Sequence, residues 1–269
     1  MTDPVDSPLT PVTSAGRPGR VRGAWPVERP DAGPNPGWRL SFDTKDERWR
    51  PTVGHGLLIV SAQPWPGGRS RPLVCVGDLT PLRLVGSDPV TCAGRVAARG
   101  VDLALARGWA VAVCELPIGG DDRAGAYALL DIARAAVHCG VGLAPDAPTL
   151  VWGHGLLAPA ALRAAALQAE YAPELALAGV AASGHAIYAA EPALTSAVAL
   201  GHALEPAFTR AAASGALGRR GPQPRPARRW PRPPVYLYRT LYPSSRDDLL
   251  AAASAIEWLA DRLDPVPVW

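Results

Sequence analysis

The stretch Leu150-Val151-Trp152-Gly153-His154-Gly155-Leu156-Leu157 runs from an apolar segment into an alanine- and leucine-rich one. A strand that turns sharply into a helix through Gly-x-Ser-x-Gly presents a serine hydroxyl for attack on an ester or amide carbonyl. In this chain Gly155 stands where that serine would be, and Leu157 stands where the last glycine would be. Glycine has no side chain and cannot act as a nucleophile. It does adopt the constrained backbone of such a turn without steric cost. Ser183-Gly184-His185 follows another apolar run and places a serine two residues from a histidine. Ser183 and His185 are therefore the weak alternative for nucleophilic chemistry. His154 reads as a packing or hydrogen-bonding residue, and Glu115, Asp121 and Asp122 as loop or capping groups.

These residues need elements to position them. "TVGHGLLIVSA", "RPLVCVGD", "WAVAVCELP", Thr149–Gly153, "LALAGVAA" and "PPVYLYR" read as strands, several of them apolar throughout, as strands buried on both faces are. "GRVAARGVDLALARG" reads as a helix closed by Gly108. "RAGAYALLDIARAAVHCG" is a helix with Ala126, Leu129, Leu130, Ala133, Ala136 and Val137 on one face and Gly140 after its end. Further helices are expected over 158–170, 191–217 and 246–263. Strands alternating with helices predict a doubly wound, mostly parallel sheet with helices on both faces. Right-handed crossovers bring the loops after the strands, including 153–157, to one edge, where ligands of open α/β sheets bind.

On these strings the chain resembles the secretory lipases of the α/β-hydrolase superfamily. The residues that carry the likeness are "AQPWPGGRSRPLVCVGD", "LALARGWAVAVCELPIGG", "GLAPDAPTLVWGHGLLAPAALRAAALQAEYAPELALAGVAASG" and "PPVYLYRTLYPSSRDDLL". They span about residues 38 to 259. The resemblance implies an α/β-hydrolase-like fold with a reduced lid, and ester hydrolysis by a serine, a histidine and an acid. It places the nucleophile at Gly155 and the oxyanion region at Gly77, Asp78 and the backbone N–H of Leu156. It places the acid at Pro243, or with a small shift at Ser244 or Ser245. Asp247 and Asp248 come later, where a helix start accounts for them. The family's histidine follows the acid, whereas the last histidine in this sequence is His202. No catalytic residue is intact on this reading. The expectation is an inactive relative that binds a small acyl or ester-like ligand or a partner protein. The alternative is a carboxylic-ester hydrolase or triacylglycerol lipase acting through non-standard residues. Leu157 is expected to push its helix outward or to fill former substrate space.

Composition narrows the classes further. The 269 residues are 48% hydrophobic, enough for one sizeable core. A net charge of +3 gives no strong attraction to nucleic acid, and no specific nucleic-acid partner is expected. The basic residues are arginines apart from Lys45. Of the four cysteines, Cys75 and Cys114 lie in strand-like runs, and no Cys-x-x-Cys or Cys/His spacing suggests a metal. No nucleotide-binding glycine motif is present, so no cofactor is expected. No apolar run is long enough to span a bilayer and no secretory leader is read at the N-terminus, so a cytoplasmic protein with free thiols is expected. Residues 1–37 are rich in Pro, Gly and charge and are expected to be disordered or loosely draped, leaving one α/β domain over 38–269. Residues 218–233 read as an Arg/Pro-rich linker replacing part of the lid. With Arg219, Arg220, Arg225, Arg228, Arg229 and Arg232 and no acid, the linker is also a candidate docking strip for an acidic partner.

Overall fold

The computed structural model describes residues 16–27, 34–67, 70–78, 88–116, 121–183, 235–238 and 245–263. They form an eight-stranded sheet: β1 (Val21–Val27), β2 (Gly37–Lys45), β3 (Pro51–Val60), β4 (Leu73–Asp78), β5 (Ala110–Glu115), β6 (Thr149–His154), β7 (Leu177–Ser183) and β8 (Val235–Tyr238). The α-helices among the described residues are α1 (Asp88–Ala106), α2 (Asp122–His138), α3 (Ala158–Tyr171) and α4 (Ser245–Asp261). The strand order is β1-β2-β3-β5-β4-β6-β7-β8. The first three strands and the β3–β5 pair are antiparallel, and β5, β4, β6, β7 and β8 run parallel. This is the mostly parallel sheet that the alternating pattern predicts.

Strand alternation sends successive side chains to opposite faces, so the sheet has two cores. Cys75, Ala112 and Val151 pack with Leu129, Ile132 and Ala164 of α2 and α3. Val74, Trp109 and Trp152 pack with Ile256 and Leu259 of α4. Cys75 and Cys114 are fully buried, and burial pushes both thiols far up, so they behave as small apolar residues. Gly108 (φ 80°) and Gly140 (φ 81°) take the left-handed conformation just past α1 and α2, as expected of glycines that stop helices. No helix among the described residues is long and apolar enough to cross a membrane.

One expectation is corrected here. Residues 1–37 are not draped throughout, because 21–27 form the edge strand β1 and Gly37 opens β2. Ladder hydrogen bonds to β2 satisfy the backbone of β1, while Val21 and Ala24 lean on the core. Arg22 pairs with Asp43, and the N–H of Gly19 donates to the Asp43 carbonyl. An edge strand needs only one neighbour and one buried side, so a Pro/Gly/Arg-rich composition suffices. The helix expected over 191–217 and the linker 218–233 lie outside the described residues.

Candidate functional site

Strand β6 ends at His154. Gly155–Leu157 make one turn of 3-10 helix, and α3 follows at once with Pro159 in its first turn. Gly155 has φ 58°, the left-handed conformation. Among the described residues, a Cβ added to Gly155 would meet no heavy atom within 4 Å. The turn therefore has a left-handed backbone that glycine accepts freely, with no described atom in the space beside it. Gly153 is there for a different reason. A Cβ on Gly153 would lie 2.4 Å from the Leu157 carbonyl oxygen and 2.7 Å from Ala161 Cβ, so the close approach of α3 requires glycine.

Leu157 packs inward. Its side chain is half-buried and lies against the end of β4, with Cδ1 3.1 Å from where a Cβ on Gly77 would be. Leu116 Cδ1 comes to 2.9 Å of the same point. Two leucines thus crowd Gly77, the first of the residues expected in an oxyanion region. Asp78 is the last residue of β4, in register with Glu115. Leu156 follows the nucleophile position and its side chain is 65% exposed.

Ser183 is fully buried at the end of β7, level with His154 in the parallel register. Its Oγ accepts a hydrogen bond from Trp152 Nε1 at 3.2 Å and lies 2.9 Å from His154 Nδ1. Tryptophan can only donate, so the serine oxygen accepts from Nε1, and it pairs with His154 Nδ1 as donor or acceptor according to the histidine tautomer. Ser183 is thus joined to His154, while its expected companion His185 lies outside the described residues, as do Pro243 and the six arginines of 219–232. Asp247 and Asp248 fall in the first turn of α4. Asp121 caps α2 by accepting from the Arg123 N–H at 2.9 Å, and Glu115 meets Arg39 at 3.2 Å. Burial and the adjacent Asp121 hold the Asp122 carboxyl above its ordinary range. No group of three or more His, Cys, Asp or Glu among the described residues is placed to hold a metal.

The sequence gives no sign of a second polar centre. Asp131, in the middle of α2, is fully buried. Its carboxylate accepts from Thr44 Oγ1 at 2.8 Å, Tyr171 Oη at 2.7 Å and Arg134 Nη1 at 2.8 Å. Arg134 also pairs with Glu174 and donates to the Tyr171 carbonyl oxygen. The partners come from β2, α2 and the end of α3, so no local motif could reveal them.

Residues 86–195 match the family model described as secretory lipase. The fold is similar to that of Candida antarctica lipase A in its closed state, with 21% identity and a TM-score of 0.51 over 62% of this chain and 42% of that one. A second structure of the same lipase gives a TM-score of 0.50 over the same shares. The rice cell wall degrading esterase LipA from Xanthomonas oryzae aligns at 16% identity and a TM-score of 0.42, over 62% of this chain and 50% of that one. The chain thus spans less than half the length of the Candida lipase. No curated protein matches it.

Proposed function

Because the chain is a secretory-lipase-like α/β-hydrolase, we propose that it is a catalytically inactive relative whose elbow serves to bind rather than to cleave. The observation that carries this reading is Gly155: the turn has the backbone of a nucleophile elbow and no atom with which to attack. The leucines packed against Gly77 support it, since they put apolar side chains beside the strand end from which an oxyanion donor is expected. Open space above Gly155 and the exposed Leu156 suit a small acyl or ester-like ligand. An acidic protein partner on the arginines of 219–232 is the other binding role. It predicts salt-sensitive binding that is lost on deleting 218–232.

The test is incubation of the purified protein with a fluorophosphonate probe and with short and long p-nitrophenyl esters. The expected result is no labelling and no turnover above buffer. The hydrogen bond between Ser183 and His154 favours one second reading, ester hydrolysis with Ser183 as nucleophile and His154 as base. Full burial of Ser183 and the Trp152 donor on its oxygen stand against it. Labelling that disappears in Ser183→Ala would establish that second reading and overturn the first.

A further inference from the structure

The β2–β3 turn carries a cluster that the elbow does not use. Trp49 is the only non-glycine residue with positive φ among the described residues, at 64°. Such a conformation is strained for a bulky side chain and persists only where the surroundings impose it. Here Asp46 imposes it. Its Oδ1 accepts from the N–H groups of Arg48 and Arg50, its Oδ2 from Arg50 Nε, and its carbonyl oxygen from the Trp49 N–H. The result is an indole held in a fixed place, 49% exposed.

Three rings gather there. The Trp49 centroid lies 5.2 Å from that of Tyr127 and 6.0 Å from that of Tyr171, with interplanar angles of 63° and 80°. The two tyrosines are 4.6 Å apart. The ammonium of Lys45, the sole lysine of the chain, sits 3.8 Å from the Trp49 centroid and 5.7 Å from that of Tyr171. Among the described residues Lys45 has no carboxylate partner, so the rings are what the ammonium meets. Tyr171 donates its hydroxyl to the buried Asp131 carboxylate, and the Arg134 guanidinium lies 5.0 Å from its ring centroid, so this ring already meets a second cation beside Lys45.

We propose that Trp49, Tyr127 and Tyr171 form an ammonium-binding box that Lys45 fills from within, and that a trimethylammonium group of the choline type takes its place. Trp49 and Tyr171 face the cation, and Tyr127 backs both rings. Lysine is strongly hydrated, and its flexible stem lets its charge move out to water. A trimethylammonium is poorly hydrated and bulky, and aromatic boxes prefer it. The half-exposed Trp49 is the outer wall through which it enters. This site is independent of the elbow and of whether the elbow binds an ester.

The experiment titrates choline into the full chain by calorimetry, against 3,3-dimethylbutan-1-ol, its neutral isostere. Wild type is expected to bind choline weakly, and Lys45→Met at least tenfold more tightly. The isostere should bind neither protein, and Trp49→Ala should lose choline binding. If Trp49→Ala fails to fold by its melting curve, Trp49→Phe replaces it, with at least a threefold loss expected. Vesicles of phosphatidylcholine and of phosphatidylglycerol identify the source of the group. Retention on the first alone, competed by choline, points to a lipid headgroup, and binding of free choline without vesicles points to a soluble ligand. The proposal is overturned if Lys45→Met binds choline no more tightly than wild type, if the isostere binds as well as choline, or if a folded Trp49 variant binds unchanged.

Discussion

The turn at 153–157 and the cluster around Asp131 are opposite solutions to the placement of polar chemistry in an α/β fold. The turn keeps a constrained backbone, φ 58° at Gly155, but carries no nucleophile. The cluster buries an acid beside a partly buried arginine and ties β2, α2 and α3 together. Strained backbone and buried charge are both marks of functional sites. The comparison teaches that neither mark suffices alone. A site needs the reactive atom as well as the geometry, and a buried carboxylate held by donors from β2, its own helix and α3 is a structural joint.

That contrast is most exposed to Asp131→Ala, which has the largest expected effect. It leaves the Thr44 and Tyr171 hydroxyls without their acceptor and takes one of three acceptors from Arg134, a loss of about 4 kcal/mol at roughly 1–3 kcal/mol per unsatisfied group. Urea unfolding measures it, and a loss below 1 kcal/mol would show that the cluster is not a joint. Asp131→Asn sharpens the same point through pH. Burial is the largest influence on Asp131 and holds its carboxyl above the ordinary aspartate range, with Tyr171, Arg134 and Thr44 pulling the other way. The folded value is therefore above the unfolded one. Ionisation then costs stability as pH rises from the ordinary aspartate range through the folded value. Wild type should lose stability relative to Asp131→Asn across that window. A flat difference between the two would contradict this.

Gly153→Ala comes next. Its methyl would press on the Leu157 carbonyl oxygen and on Ala161, and neither backbone nor a buried alanine can move aside easily. The expected loss is about 3 kcal/mol, the upper end for overpacking. An unchanged melting temperature would show that α3 can lift from the sheet.

How much of this is legible in the sequence depends on how local the determinant is. The elements from 51 to 183 follow from apolar runs, periodicity and the glycines at 108 and 140. Gly155 and the capping role of Asp121 are legible for the same reason, since strand, turn and helix lie within a dozen residues. Strand β1 is not legible, because its pairing with β2 leaves no apolar alternation to read. Asp131 lies in a helical face of alanines and leucines, and its partners are as far as 87 residues away in sequence. Nor could the sequence prefer His154 over His185 as the companion of Ser183, because only the β6–β7 register brings the first of them level with it.

Ser183→Ala is expected to cost about 1–2 kcal/mol, because it strands the buried Trp152 Nε1 without its acceptor. The same variant should leave the esterase background unchanged. It therefore separates a packed hydroxyl from a nucleophile within one protein. A stability loss with no change in turnover fits the first, and a turnover loss fits the second.

The smallest effect tests the elbow itself. Gly155→Ser restores the hydroxyl that the turn lacks. A Cβ there meets none of the described residues, so the penalty they impose is a left-handed conformation for a non-glycine residue, about 1 kcal/mol. That is well below the loss expected at Gly153, two residues away, where the backbone is ordinary and the space is filled. If the elbow were complete except for its serine, Gly155→Ser would react with fluorophosphonate and release p-nitrophenol. The expected result is neither, because Leu116 and Leu157 crowd Gly77 and no acid and histidine pair among the described residues reaches the new hydroxyl. A labelled Gly155→Ser would mean that the missing nucleophile is the only defect and that the rest of the machinery stands ready. An unlabelled, folded one would mean that the turn keeps its shape for α3 and for whatever rests above it.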